Sequence, residues 1–284
     1  MDVAGSIEAV RSKVGAARRR GERIGLVPTM GALHAGHMSL IETARRSCEY
    51  VVVSIFVNPT QFGAGEDLAK YPRSLESDLA MCEESGVDVV FAPSVEEMYG
   101  SENLTWVTVE KLTGALCGRF RPGHFRGVTT VCAKLFNIVW ADVALFGQKD
   151  AQQAIVIKRM VSDLNMPLEI VVCPTVREAS GLAVSSRNKY LGEHEREEAA
   201  LIYESLRKCR EMVESGVDEV KAIIEAMREV LGKSPDIKIE YVEIVDAESL
   251  ERLERVRGRV LAAAAVRLGA ARLIDNIVVD AGRE

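Results

Sequence analysis

The sequence predicts an α/β protein with a doubly wound parallel sheet, followed by a smaller C-terminal α+β domain. The first observation is that short apolar runs alternate with helical patterns as far as about Tyr190. Such alternation is typical of a parallel sheet with helices on both faces. The second observation is that two charged helical patterns and then three strand patterns follow that point. We therefore predict two domains, residues 1–175 and residues 176–284.

The strands and helices of the first domain can be placed in order. Residues 1–20 have the pattern of an amphipathic helix with a basic end. The predicted strands are residues 23–27, 50–57, 87–91, 142–146 and 168–173. The predicted helices are residues 36–46, 74–85, 128–139 and 150–165. The run 50–57 is rich in β-branched residues, as expected for a strand buried on both faces of a parallel sheet.

The second domain is expected to close over a site on the first. Its predicted helices are residues 193–213 and 218–231, and its predicted strands are residues 238–245, 259–266 and 272–278. A short helical insert is expected at residues 247–255. Hinge loops between such domains often close over a substrate and exclude water.

Composition excludes several classes of function. The chain has 36 basic and 42 acidic residues, and this mildly acidic balance argues against a broad nucleic-acid-binding face. The six cysteines include no CxxC pair and no zinc-type spacing. No secretory leader and no apolar run of membrane-spanning length is visible. We expect a cytoplasmic protein with reduced thiols and no membrane or nucleic-acid partner.

The most informative motif follows the first strand of the alternating pattern, where Pro28 to His37 read PTMGALHAGH. Ligands of open parallel sheets bind at the carboxyl ends of the strands, and a helix N-terminus there offers free N–H groups to phosphates. Gly31 and Gly36 allow the backbone to approach a ligand closely. His34 and His37 lie on one side of the first helical turn, so both imidazoles could donate to phosphate oxygens in a transition state.

Polar clusters also follow two later strands. Asn58 and Gln61 offer neutral donors and acceptors, which suits the orientation of a small hydroxy acid. Lys149 would bring a positive charge to ATP phosphates, and Asp150 could accept from ribose hydroxyls.

Two loops supply further candidates. One is basic and contains Arg119, Arg121, His124 and Arg126, and it could clamp a carboxylate or a phosphate. The other contains Ser185, Ser186 and Arg187 near the expected domain boundary, and its hydroxyls and guanidinium suit a polyphosphate.

The histidine motif is neither a GxGxxG dinucleotide fingerprint nor a P-loop. It resembles instead the HxGH turn of nucleotidyl-transferring enzymes and class I aminoacyl-tRNA synthetases, which implies a Rossmann-like fold of that type. Six motifs together are similar to the pantoate–β-alanine ligase (pantothenate synthetase) family, from about Ser6 to the C-terminus. They are PTMGALHAGH, FVNPTQF, YPRSLESD, RPGHFRGV, FGQKD with Gln153, and GLAVSSRN.

The resemblance implies a reaction in two steps. Pantoate and ATP give pantoyl adenylate and pyrophosphate, and the amine of β-alanine then displaces AMP to give pantothenate. His37, His34, Lys149 and Arg187 are implied as catalytic residues, with His37 as the proton donor. The implied ATP-binding residues are Met30, Gly31, Ala32, Leu33, His34, Ala35, Gly36, His37, Gly147, Gln148, Lys149, Asp150, Val176, Val184, Ser185, Ser186 and Arg187.

Further expectations come from the same resemblance. Gln61 and Gln153 are implied to hold pantoate, with Asn58, Arg121 and His124 in support. Mg²⁺ is expected on the ATP phosphates, with Asp78 as a possible helper. A homodimer is also implied, and residues 105–109 have the pattern of an edge strand. Ser180, Val184 and Ala151 depart from the residue types common in the family, and none of these departures removes a group that the resemblance assigns to the chemistry.

Two other functions remain open at this stage. A nucleotidyltransferase acting on another small acceptor would share the histidine turn and lack the ligation step, but it would want more cations for a phosphate-bearing acceptor. A catalytically silent nucleotide-binding regulator would be expected to lack His37, Lys149 or Arg187, and all three are present.

Overall fold

The structure is a computed structural model and describes residues 1–282. Within this range the chain divides into two compact units. The first unit comprises Met1–Thr113, Phe120–Gln148 and Gln152–Pro174. The second comprises the chain from Thr175 on, together with the short segments Gly114–Arg119 and Lys149–Ala151.

A six-stranded sheet forms the centre of the first unit, and every strand pair in it is parallel. The strands are β1 (Asp2–Ala4), β2 (Ile24–Thr29), β3 (Tyr50–Ile55), β4 (Val89–Phe91), β5 (Val143–Gly147) and β6 (Glu169–Cys173). Their order in the sheet is β1-β4-β3-β2-β5-β6. The order reverses between β2 and β5, and such a switch point is where open α/β sheets bind ligands.

Helices cover this sheet because each presents an apolar stripe to it. They are α1 (Ile7–Arg19), α2 (Ala35–Ser47), α3 (Leu75–Glu84), α4 (Val95–Tyr99), α6 (His124–Val139) and α7 (Ala151–Asp163). A short helix α5 (Leu116–Phe120) lies between α4 and α6 in the chain, but most of it belongs to the second unit. Ile41 of α2 and Cys82 of α3 pack in one core cluster with Val53 and Leu145 of the strands, all fully buried. Helices α1 and α6 contact each other and β2.

The second unit is built on a three-stranded antiparallel sheet. Its strands are β7 (Lys238–Asp246), β8 (Arg259–Leu268) and β9 (Ala271–Asp280), in the order β7-β8-β9. The helices α8 (Glu193–Glu214) and α9 (Val220–Leu231) share a core cluster with one face of this sheet, in which Ile202, Ile223 and Ala264 are fully buried.

The predicted fold class is confirmed, including both sheets. The N-terminal prediction is wrong in its first residues, because β1 precedes the helix and pairs with β4. Helix α1 begins only after Ser6, whose side chain accepts from the Ala9 N–H at 3.2 Å. The predicted helix 128–139 begins earlier, at His124, directly after Gly123 with its φ of +82°.

Two predicted elements are wrong. Residues 105–109 form no strand, because the Val107 backbone bonds to the side chains of Thr129 and Thr130 of α6. Residues 247–255 form no helix, because the Asp246 carboxylate accepts from the backbone N–H groups of Glu248 and Ser249 and holds a tight turn. Among residues 1–282, no helix combines the length and apolarity that crossing a membrane requires.

Candidate active site

The turn after β2 carries the two histidines and is held in an unusual backbone conformation. Gly31 has a φ of +77° and Ala32 a φ of +51°, so two consecutive residues are left-handed. A left-handed conformation costs free energy at Ala32 because of its Cβ. Thr29 stabilises the start of the turn, since its hydroxyl accepts from the Gly31 N–H at 3.1 Å and donates to the Ser54 carbonyl at 2.7 Å.

Asp78 of α3 holds the same turn from the other side. One carboxylate oxygen accepts from the Ala32 N–H at 2.9 Å, and the other accepts from the Leu33 N–H at 2.8 Å. Asp78 is only 2% exposed. Consecutive N–H groups of a left-handed turn form a concave anion site, and here the side chain of Asp78 fills it. Both oxygens of the proposed metal helper are therefore engaged by the backbone.

His34 and His37 lie together at the N-terminus of α2. His34 is the N-cap, and its Nδ1 accepts from the Gly36 N–H at 3.2 Å. A neutral imidazole that accepts at Nδ1 carries its proton on Nε2, so Nε2 is the atom that can donate to a ligand. The two rings have centroids 4.1 Å apart. Gly36 permits this packing, because a Cβ there would lie 3.0 Å from the His34 ring.

Gln61 ends the short 3-10 helix Pro59–Gln61 that follows β3, and Asn58 orients it. The Asn58 amide donates to the Gln61 side-chain oxygen at 3.1 Å and to the Gly127 carbonyl at 3.1 Å. Asn58 is 1% exposed, and its own oxygen accepts from the hydroxyl of Tyr99 at 2.7 Å. Burial raises the pKa of Tyr99, so its hydroxyl stays protonated and keeps donating. The Gln61 amide in turn lies 3.0 Å from the sulfur of Met30.

Arg121 and His124 brace the backbone at Gln61. Arg121 makes a two-pronged bond to Glu66, with its Nε at 2.7 Å and its Nη2 at 2.5 Å from the carboxylate oxygens. Its Nη1 lies 3.1 Å from the His124 ring, whose Nδ1 is 2.8 Å from the Gln61 carbonyl. Burial alone would raise the pKa of Glu66, but the hydrogen bonds and charge of Arg121 outweigh it and lower the pKa below its ordinary value. The guanidinium fork of Arg121 is thus occupied by Glu66.

Gly127 of α6 is a site residue that the motifs did not single out. A Cβ at this position would lie 2.4 Å from the Thr60 carbonyl oxygen and 2.6 Å from the Gln61 nitrogen. Only glycine therefore allows α6 to approach the 3-10 helix this closely. The signal in the sequence is the place of Gly127 in the motif RPGHFRGV, because the predicted helix begins only at residue 128 whereas α6 begins at His124.

The segment after β5 passes from the first unit into the second. Gly147 is the last residue of β5, and Gln148–Asp150 form a 3-10 helix. Gln153 lies in the first turn of α7 and is partly buried. In the second unit, Lys149 has its Nζ 3.9 Å from the Asp150 carboxylate and its backbone carbonyl bonded to Asn276 at 2.9 Å.

The last group of candidates forms a hairpin followed by a short helix. The Val184 N–H donates to the Val176 carbonyl at 3.0 Å, and Arg177 bridges to Ala183 across the hairpin. Ser180 lies near the tip, where Gly181 has a φ of +93°. Ser185 then caps the 3-10 helix Ser186–Tyr190 by accepting from the Arg187 N–H at 3.3 Å. The segment predicted as a loop around Ser185 therefore includes a hairpin and a 3-10 helix.

The sheet order and the histidine turn at its switch point define an enzyme of the HxGH nucleotidyl-transferring class. The chain belongs to the pantoate-beta-alanine ligase family, whose sequence model matches residues 2–278. This confirms the resemblance that the six motifs indicated.

Relatives of known name agree over the whole chain. The pantothenate synthetase of Moorella thermoacetica is 55% identical over 99% of this chain and 99% of its own. That of Acetivibrio thermocellus is 51% identical over 99% of this chain and 100% of its own.

Solved structures agree as well. Pantothenate synthetase from Thermus thermophilus superposes with a TM-score of 0.93 at 45% identity, over 98% of this chain and 99% of that one. Pantoate-beta-alanine ligase from Francisella tularensis, complexed with Beta-gamma ATP and beta-alanine, gives a TM-score of 0.81 at 35% identity, over 98% and 97%.

Proposed function

We propose that the chain condenses pantoate with β-alanine at the expense of ATP, through a pantoyl adenylate, and releases pyrophosphate and AMP. The observation that carries this proposal is the HxGH turn at the switch point between β2 and β5, in a chain of this family. The reaction needs an adenylate because a carboxylate has no leaving group for attack by an amine.

In the first step a pantoate carboxylate oxygen attacks the α-phosphorus of ATP, and the bond to the β-phosphate bridging oxygen breaks. Negative charge grows on the phosphate oxygens as this happens. His34 donates from Nε2, and His37 supplies a proton on the same side of the first turn of α2. Lys149 and Arg187 add positive charge to the triphosphate.

In the second step the amine of β-alanine attacks the acyl carbon and AMP leaves with the electron pair of the bond between the acyl carbon and the bridging oxygen. Water would hydrolyse the adenylate, so the acid must be held by neutral groups in an enclosed site. Gln61 and Gln153 hold pantoate in this proposal. Asn58, Arg121 and His124 act through Gln61, because their hydrogen bonds fix its side chain and its backbone.

The proposed ATP-binding residues come from three parts of the chain. They are residues 30–37, residues 147–150, and Val176 with residues 184–187. Mg²⁺ would be held mainly by the phosphate oxygens of ATP, where it would neutralise part of their charge. We assign Asp78 to the turn and not to the ion, because both its oxygens accept backbone hydrogen bonds.

The proposal also covers the location of the enzyme, its substrates and its oligomeric state. The enzyme acts in the cytoplasm and takes only small-molecule substrates. It forms a homodimer through the first unit, where Leu104 is 79% exposed and Trp106 is 38% exposed. Exposed apolar side chains of this size mark association surfaces when they cluster.

The decisive experiment measures pyrophosphate and AMP released from ATP and Mg²⁺, with pantoate alone and with pantoate plus β-alanine. We expect sustained turnover only with both acids. His37→Ala should lower kcat/KM for pantoate by about a hundredfold or more, the range for loss of a proton donor or of one oxyanion donor. His194→Ala is the matched control, because that side chain is 77% exposed on α8.

Three outcomes would contradict the proposal. Pyrophosphate release without a dependence on pantoate would exclude the ligase reaction. Turnover that is indifferent to β-alanine and leaves the nucleotide joined to the acceptor would indicate a nucleotidyltransferase. Full activity of His37→Ala would remove that residue from the chemistry.

A further inference from the structure

Strand β9, at the edge of the small sheet, carries two consecutive buried polar residues near its middle. Asp275 is 3% exposed and Asn276 is 5% exposed. Neighbouring residues of a strand point to opposite faces, and the register agrees: Asp275 lies opposite Ala264 and Asn276 opposite Ala263. Ala264 belongs to the core cluster of α8 and α9, so Asp275 is on the helix side and Asn276 on the other side. Buried polar groups of this kind need specific partners.

Asn276 is bonded to the segment that contains Lys149. Its side-chain amide donates to the Lys149 carbonyl at 2.9 Å. The contact is to the backbone, so it fixes the point from which the lysine side chain starts. The segment Lys149–Ala151 clusters with the second unit although the residues on both sides of it do not. Opposite Asn276, the small side chain of Ala263 leaves room on this face of the sheet for another piece of chain.

Asp275 is bonded to the hairpin that leads to Ser185, Ser186 and Arg187. Arg177 places Nη2 at 3.0 Å and Nη1 at 2.5 Å from the two oxygens of Asp275. The same guanidinium lies 3.7 Å from the ring centroid of Tyr203 on α8, and it donates to the Gly181 carbonyl at 3.1 Å. A two-pronged bond combined with ring stacking fixes a guanidinium in both position and plane.

We propose that Asp275 and Asn276 are positioning residues of the ATP site: β9 holds the Lys149 segment on one face and the hairpin 176–184 on the other. This inference rests on the proposed function, because it assumes that Lys149 and Arg187 bind the nucleotide. Two phosphate-binding segments far apart in the sequence are then anchored to adjacent residues of one strand. Such anchoring lowers the conformational entropy of both segments before ATP binds, so that less entropy is lost on binding.

The first test is Asn276→Ala, with steady-state kinetics and ATP binding by calorimetry. We expect the KM and Kd for ATP to rise about three- to tenfold, the effect of one lost hydrogen bond. The KM values for pantoate and β-alanine should change less than about twofold. Glu240→Gln is the control, because it weakens an ion pair with Arg272 in the same sheet without touching either segment. Glu240→Gln should lose as much thermal stability as Asn276→Ala, but its affinity for ATP should stay unchanged.

The second test is Arg177→Lys, which keeps the charge but loses the fork and much of the stacking. We expect the same selective rise in the KM for ATP as for Asn276→Ala. Asn276→Asp should be more severe than Asn276→Ala, because its carboxylate oxygen would face the Lys149 carbonyl oxygen in place of the amide donor, and two acceptors repel each other.

The possible failures are distinguishable when Lys149→Ala is measured alongside. If Lys149→Ala weakens ATP binding strongly while Asn276→Ala and Arg177→Lys bind ATP like the wild type, the inference is overturned and the proposed function stands. If Lys149→Ala itself binds ATP normally, the assignment of the lysine fails and the inference falls with it. Equal rises in all three KM values, matched by Glu240→Gln, would reduce the role of β9 to folding and overturn the inference.

Discussion

Asp78 shows how one side chain can fix the backbone of a catalytic turn from a distance in the sequence. Its carboxylate accepts hydrogen bonds from two consecutive backbone N–H groups. They belong to Ala32, which is left-handed, and to Leu33, which follows it. A buried charge in this role is stabilised by the hydrogen bonds that it accepts. The geometry of His34 and His37 therefore depends on a residue of α3, which we assign to holding the turn.

The residue-scale prediction is that Asp78→Asn lowers both stability and activity. The amide keeps one acceptor and turns an NH₂ group toward the other backbone N–H, so one charge-assisted bond is lost and two donors face each other. We expect unfolding to become easier by about 2–3 kcal/mol, and kcat to fall more than the KM for ATP rises. Urea denaturation and steady-state kinetics measure the two effects.

Asp163→Asn is the control for this prediction, because Asp163 is a half-exposed acid paired with Arg159 at the end of α7. It should change neither quantity measurably. Wild-type kinetics in Asp78→Asn would show that the turn keeps its shape without the carboxylate.

The candidate residues of the histidine turn could be predicted from the sequence because a strand, a glycine-rich turn and two histidines follow one another in the chain. Asp78, which bonds to that turn, could be predicted only as a possible helper for Mg²⁺, because it lies 46 residues beyond Ala32 in the chain. Glu66 was missed for the same reason: its bond to Arg121 spans 55 residues. Arg121 alone suggested a clamp for a ligand, whereas its fork is filled by another side chain.

At the scale of elements, the approach of α6 to the 3-10 helix Pro59–Gln61 sets the position of Gln61. The helix comes so close that backbone atoms of residues 60 and 61 occupy the space of a side chain at position 127. Asn58 then bonds to the Gly127 carbonyl and to Gln61, which ties the two elements together. A glycine inside a helix normally costs about 0.5–1 kcal/mol relative to alanine, and here that cost is offset by the contact.

The element-scale prediction is that Gly127→Ala destabilises the protein and weakens pantoate binding. The new Cβ must displace the Thr60 carbonyl or α6 itself, since backbone atoms cannot rotate away. We expect a loss of about 1–3 kcal/mol of stability, as for other overpacked sites. The KM for pantoate should rise by more than the KM for ATP.

Gly15→Ala is a matched control, because Gly15 is also inside a helix and a Cβ there would meet only the end of the Arg19 side chain at 3.6 Å. That variant should be as stable as the wild type or slightly more stable. Equal thermal melting of the two alanine variants would show that α6 can yield without cost.

Elements with a strong local pattern were predictable, and those decided by a single polar group were not. The strands of the parallel sheet carry apolar runs that a buried environment requires. The predicted edge strand at residues 105–109 has the right residue types, but its backbone is satisfied by the threonine hydroxyls of α6. The helix expected at residues 247–255 is replaced by a turn around Asp246. Backbone hydrogen bonding to distant or competing side chains leaves no periodic signal.

At the scale of the whole molecule, the two units are not contiguous in the chain. The boundary expected at residues 175 and 176 takes no account of Gly114–Arg119 and Lys149–Ala151, which cluster with the second unit. These segments are too short to show a periodicity of their own, so only their tertiary partners place them.

The whole-molecule prediction concerns assembly. We expect light scattering to give about twice the 31.1 kDa mass of one chain. Leu104→Asp should shift the protein toward the monomer, because it puts a charge among the exposed apolar side chains of the first unit. Leu164→Asp, at another exposed leucine, is the control. A wild-type monomer at micromolar concentration would contradict the proposal.

The interleaving of the two units also constrains how such a protein can be recombined. A single crossover near residue 175 between two relatives would join the small sheet of one parent to residues 114–119 and 149–151 of the other. The bond between Asn276 and residue 149 would survive, because every amino acid has the carbonyl that it uses. The ion pair between Arg119 and Glu243 would survive only if the parent of the N-terminal part carries the arginine and the parent of the C-terminal part carries the glutamate. The residue at position 149 can therefore vary between the parents without loss of its bond to Asn276. The residues at positions 119 and 243 must instead be chosen together.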